Sequence, residues 1–246
     1  MRADAGPAAA AVLRLEGRDV GTAAADLLHT VIASTPRPVI GVATGGSPSP
    51  LYRELAARGG DYRAVTWFAL DEYLGLPAGH PQSYAEVLRR ELIDPLGLDP
   101  RTVHLPDPHS ADPHDAAARY EQRIADAGGV DLQILGIGRN GHLAFNEPGA
   151  ALDSRTRVET LTEDTRQANR RFFPTLEEVP TRCITQGLGT ILSARRLLLL
   201  AQGAAKAEAL HRALTGPVSA DCPASVLQLH GDVTVLADAE AAALLP

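Results

Sequence analysis

Apolar residues along this chain follow two alternating rhythms. Short, nearly unbroken runs occur at Val39 to Ala43, Val65 to Leu70, Asp131 to Ile137, Leu197 to Gln202 and Val233 to Leu236. Runs of this length bounded by glycine or polar residues predict strands buried on both faces. Between them, Asp19 to Ala33, Leu51 to Ala57, Tyr84 to Leu96 and Ala204 to Leu214 place apolar residues at helical spacing. Asp112 with Pro113 behind it reads as the start of another helix, running to about Ala127. Shorter strands are predicted at Val12 to Leu15, Val103 to Leu105 and Val158 to Leu161. Helical segments are predicted at Asp164 to Phe173 and Gln186 to Ser193, with a short last helix at Ala239 to Leu245. Strands alternating with helices predict an α/β fold: a mostly parallel sheet with helices on both faces. No linker or repeat divides it, so residues 1–246 read as one domain.

In such sheets the site lies at the carboxyl ends of the strands. The polar motifs fall there: after 43, after 70, after 137 and after 202. Thr44-Gly45-Gly46-Ser47 joins a strand to a helix that Ser47 can cap and Pro48 can open. Glycines that turn amides toward an anion, flanked by two hydroxyls, make a phosphate cradle. No lysine follows, so it is not a nucleoside-triphosphate loop. Lys206 stands in the first turn of a helix, against the helix dipole, where a compact ammonium suits a phosphate. Arg166, Arg170 and Arg171 are candidates for a second cation.

Asp71 and Glu72 follow a strand, and adjacent residues there point to opposite sides, so one carboxylate faces the crevice. The loop Gly138 to Pro148 sets Asn140, His142, Asn146 and Glu147 close together. A carboxylate beside an imidazole is the arrangement of a proton relay. Gly136 to Gly141 matches the glycine pattern of dinucleotide folds, but no long helix opens at the glycines to hold a pyrophosphate. His104, His109 and His114 sit among prolines with no compact metal-ligand spacing, which argues against a metal.

Composition narrows the class. Two cysteines, Cys183 and Cys222, give neither a metal motif nor a disulfide framework. A net charge of −7 argues against a nucleic-acid or membrane-surface partner. The Ala-rich start at Ala8 to Ala11 is too short for a signal segment and is soon followed by Glu16 and Arg18, so a cytoplasmic location is expected. Of the 23 basic residues, 22 are arginine and one is Lys206, which sharpens the case that this lysine is there for a reason.

Five stretches together resemble the glucosamine-6-phosphate deaminases, within the wider group that includes the 6-phosphogluconolactonases. They are ATGGSPSPLY, LDEYLGLPAGHPQSY, LGIGRNGHLAFNEPG, LDSRTRVETLTEDTRQANRRFF and the QLH of Gln228 to His230. The Asn-Glu-Pro continuation after Gly-His, followed by SRTR, is similar to the deaminase branch and not to the lactonases. The resemblance implies a modified Rossmann-like fold and conversion of glucosamine 6-phosphate and water to fructose 6-phosphate and ammonia, in amino-sugar catabolism. It implies that Asp71 moves a proton between carbons 2 and 1, and that Asn140, His142 and Glu147 serve ring opening. Thr44, Gly45, Gly46, Ser47, Arg171 and Lys206 match phosphate-binding positions. No metal or organic cofactor is implied, and the oligomeric state is left open.

Some relatives have aspartate where this chain has Asn140; the amide is expected to fix the imidazole by hydrogen bonding without adding charge. Glu159 stands where the branch activated by N-acetylglucosamine 6-phosphate has lysine, Ala150 replaces a serine, and the chain stops short of that branch's C-terminal extension. No such activation is expected. The stretch from about Leu161 to Phe173 matches a mobile lid. Alternatives are a lactonase or isomerase on the same scaffold, and a non-catalytic sugar-phosphate sensor.

Overall fold

Alternating strands and helices wind around a sheet covered on both sides. The computed structural model describes residues 10–15 and 19–246; Ala8, Ala9, Glu16 and Arg18 of the start lie outside the described residues. The chain begins with strand β1 (Ala11–Leu15) and helix α1 (Val20–Ser34), whose first turn is capped by the Asp19 carboxylate. Strand β2 (Val39–Val42), helix α2 (Ser49–Arg58) and strand β3 (Thr66–Ala69) follow. Strand β4 (Asp71–Leu74) leads to helix α3 (Tyr84–Leu88), which passes through a π-helical turn (Arg89–Ile93) into α4 (Asp94–Leu96). The helix expected over Tyr84 to Leu96 is therefore continuous but widened in its middle.

Strand β5 (Val103–His104) precedes α5 (Pro113–Asp126), which opens with Asp112 accepting from the His114 amide, as the Asp-Pro pair predicts. Next come β6 (Leu132–Gly136), β7 (Arg157–Thr160), α6 (Glu163–Asn169), β8 (Arg182–Thr185), α7 (Leu188–Leu192), β9 (Leu197–Ala201), α8 (Ala207–Thr215) and β10 (Val233–Asp238). No helix among the described residues is long and apolar enough to cross a membrane.

Among the described residues, seven strands form the main sheet in the order β1-β10-β9-β6-β2-β3-β5, and every pairing is parallel. Residue parity explains the unbroken apolar runs. On β9, Leu198 and Leu200 pack on one face, and Leu197, Leu199 and Ala201 on the other. Both faces are buried, so both parities must be apolar. Gln133 is the exception: its buried side chain lies across Gly41, where any Cβ would stand about 2.0 Å from Oε1.

The chain order decides where a ligand can enter. From β2 the sheet grows through β3 to β5; from β6 it grows the opposite way through β9 and β10. β2 and β6 are neighbours, so the direction reverses between them and a crevice opens at their carboxyl ends.

The structure departs from expectation at several points. A second, antiparallel sheet, β4-β8-β7, includes a strand at Arg182–Thr185 that no apolar run announces. Residues 239–244 form turns rather than a helix: the Asp238 carboxylate takes the Ala241 amide at 2.8 Å, as a helix cap would, but Ala243 and Leu245 donate three residues back, to the Glu240 and Ala242 carbonyls, so no α-helical ladder propagates. Ser47 does not cap α2; that helix starts at Ser49 behind Pro48 with no side-chain cap. Lys206 ends a 3₁₀ turn (Ala204–Lys206), with the α-helix beginning one residue later.

Candidate active site

The crevice at the β2/β6 reversal is a cavity of about 650 Å³. Thr44, Gly45, Gly46 and Ser47 form one wall, at the end of β2. Gly45 takes φ +92°, a left-handed conformation that suits glycine, and no atom lies within 4 Å of where a Cβ would stand on Gly45 or Gly46. The turn is held from behind: the Ser49 hydroxyl is shared between the Glu91 carboxylate at 2.6 Å and the Gly45 carbonyl at 3.0 Å, and the Tyr52 hydroxyl donates to Ala43 at 2.6 Å. The amides of Gly45, Gly46 and Ser47 donate no hydrogen bond among the described residues. With Ser47 released from capping, its hydroxyl and the amides are available to an anion.

Lys206 reaches this wall from the end of β9, its Nζ donating to the Ile137 carbonyl at 2.6 Å. Burial, then the charges of Arg139 and Arg171, depress its pKa. Arg139 and Arg171 also line the cavity, and neither makes an ion pair among the described residues. Three cations converging with none of them paired to a carboxylate among the described residues form a site for an anion. The other two candidate arginines do not take part. Arg166 donates to the Leu176 carbonyl at 2.9 Å, and Arg170 to the Phe173 carbonyl at 2.8 Å.

Asp71 is the first residue of β4, where the chain leaves the main sheet for the antiparallel one. It lines the cavity at 6% exposure, and no group among the described residues hydrogen-bonds its carboxyl. Burial, and after it the Glu72 charge, pushes its pKa well above the usual carboxylate range. Glu72 points the other way, as strand alternation requires. It accepts the amides of Tyr73, Tyr84 and Ala85 at 2.8, 2.9 and 2.8 Å. The pair thus divides into one structural carboxylate and one kept free inside the cavity.

The loop after β6 is tied by Gly138 N–H to the His142 carbonyl at 3.0 Å and by Gly141 N–H to the Gly138 carbonyl at 3.0 Å. The His142 imidazole lies on Gly138, where a Cβ would come within 2.4 Å of the ring. His142 faces the cavity, while Glu147 stands behind it with Nδ1 to Oε2 at 3.5 Å. That separation is an electrostatic contact rather than a hydrogen bond. Asn140 does not make the expected hydrogen bond to the imidazole. Its Nδ2 donates to Glu147 Oε2 at 2.7 Å, and its Oδ1 accepts the His142 amide at 3.2 Å. The Thr165 hydroxyl donates to the other oxygen, Glu147 Oε1. Burial raises the Glu147 pKa, but His142, Thr165 and Asn140 together reverse this and take it to about 2. Asn146 is structural: fully buried, it donates to the Leu143 and Gln186 carbonyls and accepts from Arg157.

The structure therefore gathers Thr44, Gly45, Gly46, Ser47, Asp71, His142, Arg171 and Lys206 on one cavity, with Asn140 and Glu147 just behind the imidazole. Gly138, Arg139 and Thr165 join them without having been singled out. Thr165 follows Thr162 by three residues and its amide is capped by that hydroxyl at 3.2 Å, so its spacing signalled only a helix start. His109 and His114 are exposed, and among the described residues no group of three or more His, Cys, Asp or Glu is placed to hold a metal ion.

Residues 17–236 match the family described as glucosamine-6-phosphate isomerases/6-phosphogluconolactonase. A protein of Pseudarthrobacter chlorophenolicus named glucosamine-6-phosphate deaminase is 52% identical over 231 residues, covering 93% of this chain and 89% of the relative. One of the same name from Cutibacterium acnes is 53% identical over 230 residues, covering 92% and 88%. Among solved structures, a monomeric glucosamine-6-phosphate deaminase superposes with a TM-score of 0.92 at 42% identity, covering 95% of this chain and 99% of that one. The 6-phosphogluconolactonase of Trypanosoma cruzi superposes at 0.78 with 22% identity, covering 96% and 97%, a likeness of fold.

Proposed function

The chain belongs to the glucosamine-6-phosphate isomerase/6-phosphogluconolactonase family, and from that premise we propose that it is a glucosamine-6-phosphate deaminase, converting glucosamine 6-phosphate and water to fructose 6-phosphate and ammonia. The observation that carries this reading is the division of labour around one cavity. A cation-lined glycine cradle lies on one side; an unpartnered buried carboxylate and a carboxylate-backed imidazole complete it.

The phosphate is taken by Thr44, Gly45, Gly46 and Ser47 with Lys206 and Arg171, leaving the sugar directed toward Asp71 and His142. Ring opening requires a proton to leave the carbon-1 hydroxyl and one to reach the ring oxygen. His142 carries it, with Glu147 behind Nδ1 stabilising the imidazolium and Asn140 fixing Glu147. Asp71 then removes the carbon-2 proton and returns it to carbon 1, while the carbon-1 oxygen gains a proton and the nitrogen loses one, turning the aldose amine into a ketose imine. A carboxylate without hydrogen-bond donors and raised in pKa by burial is a stronger base than one in water, as that step needs. Water adds to the imine carbon, the carbon–nitrogen bond breaks, and ammonia leaves with fructose 6-phosphate. Every step is a proton transfer, a hydration or the loss of ammonia that these side chains can serve, so no metal or organic cofactor is assigned a part. A phosphorylated sugar does not cross a bilayer unaided, which favours the cytoplasm as the compartment. With Glu159 engaged by Arg157 at 2.7 Å, no cation is offered at this position, and activation by N-acetylglucosamine 6-phosphate is not expected.

The test is to supply glucosamine 6-phosphate to the purified chain and assay both products, with 6-phosphogluconolactone in parallel. Ammonia and fructose 6-phosphate in equal amounts, with no lactone hydrolysis above background, is the expected result. Lactone hydrolysis without ammonia would assign the chain to the other branch.

A further inference from the structure

Glu147 is held at both oxygens, but by different parts of the molecule. Oε2 takes Asn140 Nδ2 at 2.7 Å, from the loop after β6 that also carries His142. Oε1 takes the hydroxyl of Thr165, which belongs to α6, in the stretch that resembles a lid. A carboxylate gripped on one oxygen can swing about its last side-chain bond; gripped on both, it cannot. The orientation matters because His142 Nδ1 is buried and has no hydrogen-bond partner among the described residues. Glu147 Oε2, 3.5 Å away, is the acceptor placed to orient that ring.

Helix α6 is itself seated on the wall of the cavity. Thr165 and Asn169 are four residues apart and so share one face of the helix. Asn169 Nδ2 donates to the Tyr73 hydroxyl at 2.9 Å. Beyond α6, the Phe173 ring packs edge-on against Tyr73, with centroids 6.0 Å apart, and stacks on His80 at 5.9 Å. When α6 is seated, Thr165 is carried to Glu147; if α6 lifts, the same carboxylate loses one of its two anchors.

We propose that Thr165 is a positioning residue for the proton relay: its hydroxyl fixes Glu147 with Oε2 turned to His142, so the imidazole is aligned only while α6 is seated over the cavity. The kinetic side of this inference rests on the deaminase reading. Thr165→Val keeps the branched shape and removes the hydroxyl; Thr165→Ser keeps the hydroxyl. Losing a hydrogen bond to a charged group is expected to lower kcat about 10- to 100-fold in Thr165→Val. The KM for glucosamine 6-phosphate should change little, because the phosphate contacts lie elsewhere. The acid limb of the kcat profile should move to higher pH, since Glu147 loses a donor that favours its ionised form. Thr165→Ser should restore both kcat and the profile.

A hydroxyl that only supports the helix would instead lower the melting temperature of Thr165→Val while leaving kcat and the acid limb at wild-type values; that result overturns the proposal. Should the wild-type chain release no ammonia, the deaminase reading fails, and Thr165 is judged without turnover. The Glu147 carboxyl is then titrated by carbon-13 NMR, its signal assigned by its loss in Glu147→Gln. A higher pKa in Thr165→Val supports the anchoring role, and an unchanged titration refutes it.

Discussion

Replacing Glu147 by glutamine removes a charge while leaving its hydrogen bonds intact. The glutamine carbonyl can accept Asn140 Nδ2, and its NH₂ can donate to the Thr165 hydroxyl, which turns to accept. What is lost is a carboxylate whose pKa falls from 4.5 to about 2 on folding. At about 1.4 kcal/mol per pKa unit, that difference is worth about 3 kcal/mol at neutral pH. His142, one of the groups that lower this pKa, is itself partly exposed to the cavity, so solvent screening brings the figure to about 1–2 kcal/mol. The sign follows from the direction of the shift. A depressed carboxyl stabilises the folded state at pH values above its unfolded pKa, and that contribution is lost as pH falls through 4.5 toward 2. Glu147→Gln should therefore melt about 2–8 °C below wild type at pH 7, taking about 2–4 °C per kcal/mol for a chain of this size. The gap should narrow steadily in melts at pH 5, 4 and 3. A gap of the same size at every pH would mean that packing, not ionisation, sets the difference. No gap at pH 7 would mean that the pKa is not depressed in the folded state.

Two further perturbations separate binding from chemistry. Lys206→Met keeps the stem and removes the ammonium, and should raise the KM for glucosamine 6-phosphate about 10- to 100-fold, as expected for one charge-assisted contact of about 1.5–3 kcal/mol; steady-state kinetics check it, and an unchanged KM would remove Lys206 from the phosphate site. Gly138→Ala puts a Cβ within 2.4 Å of the His142 ring and must displace it. Since small displacements of reacting groups cost about 100-fold, kcat should fall by that order while the fold survives, as circular dichroism and the melting temperature would report.

The main sheet was legible because strands buried on both faces leave unbroken apolar runs, as at Leu197–Ala201, where both parities pack into cores. The same pattern put the cradle and the His142 loop at the carboxyl ends of the strands, but the reversal between β2 and β6 that joins them in one crevice lies in the strand order, which no local pattern announces. The small antiparallel sheet was not legible, since Arg182–Thr185 is four residues of mixed character whose burial depends on partners far along the chain. The alanines of 239–245 suggested a helix, but so short a segment does not meet the cost of nucleation, and its amides close turns three residues back instead. Within the site, residue types announced chemistry but not contacts. Asp71 and Glu72 were separable by strand alternation, whereas Asn140 was expected on the imidazole and instead holds Glu147. Thr165 lay beyond sequence reasoning, because its role exists only where α6 meets the loop after β6.

The chemistry proposed here turns on Asp71, and ammonia release from glucosamine 6-phosphate by wild type and by Asp71→Asn examines it directly. Burial raises the Asp71 pKa, so its ionised form costs stability as pH rises above the normal carboxylate range, and asparagine relieves that cost. The variant should melt at or above the wild-type temperature at pH 7, which excludes unfolding as the cause of any loss. Loss of a general acid–base group should lower ammonia release by about 100-fold or more. Asp71→Asn protein that is folded and releases ammonia at the wild-type rate would contradict the enolisation role assigned to this carboxylate.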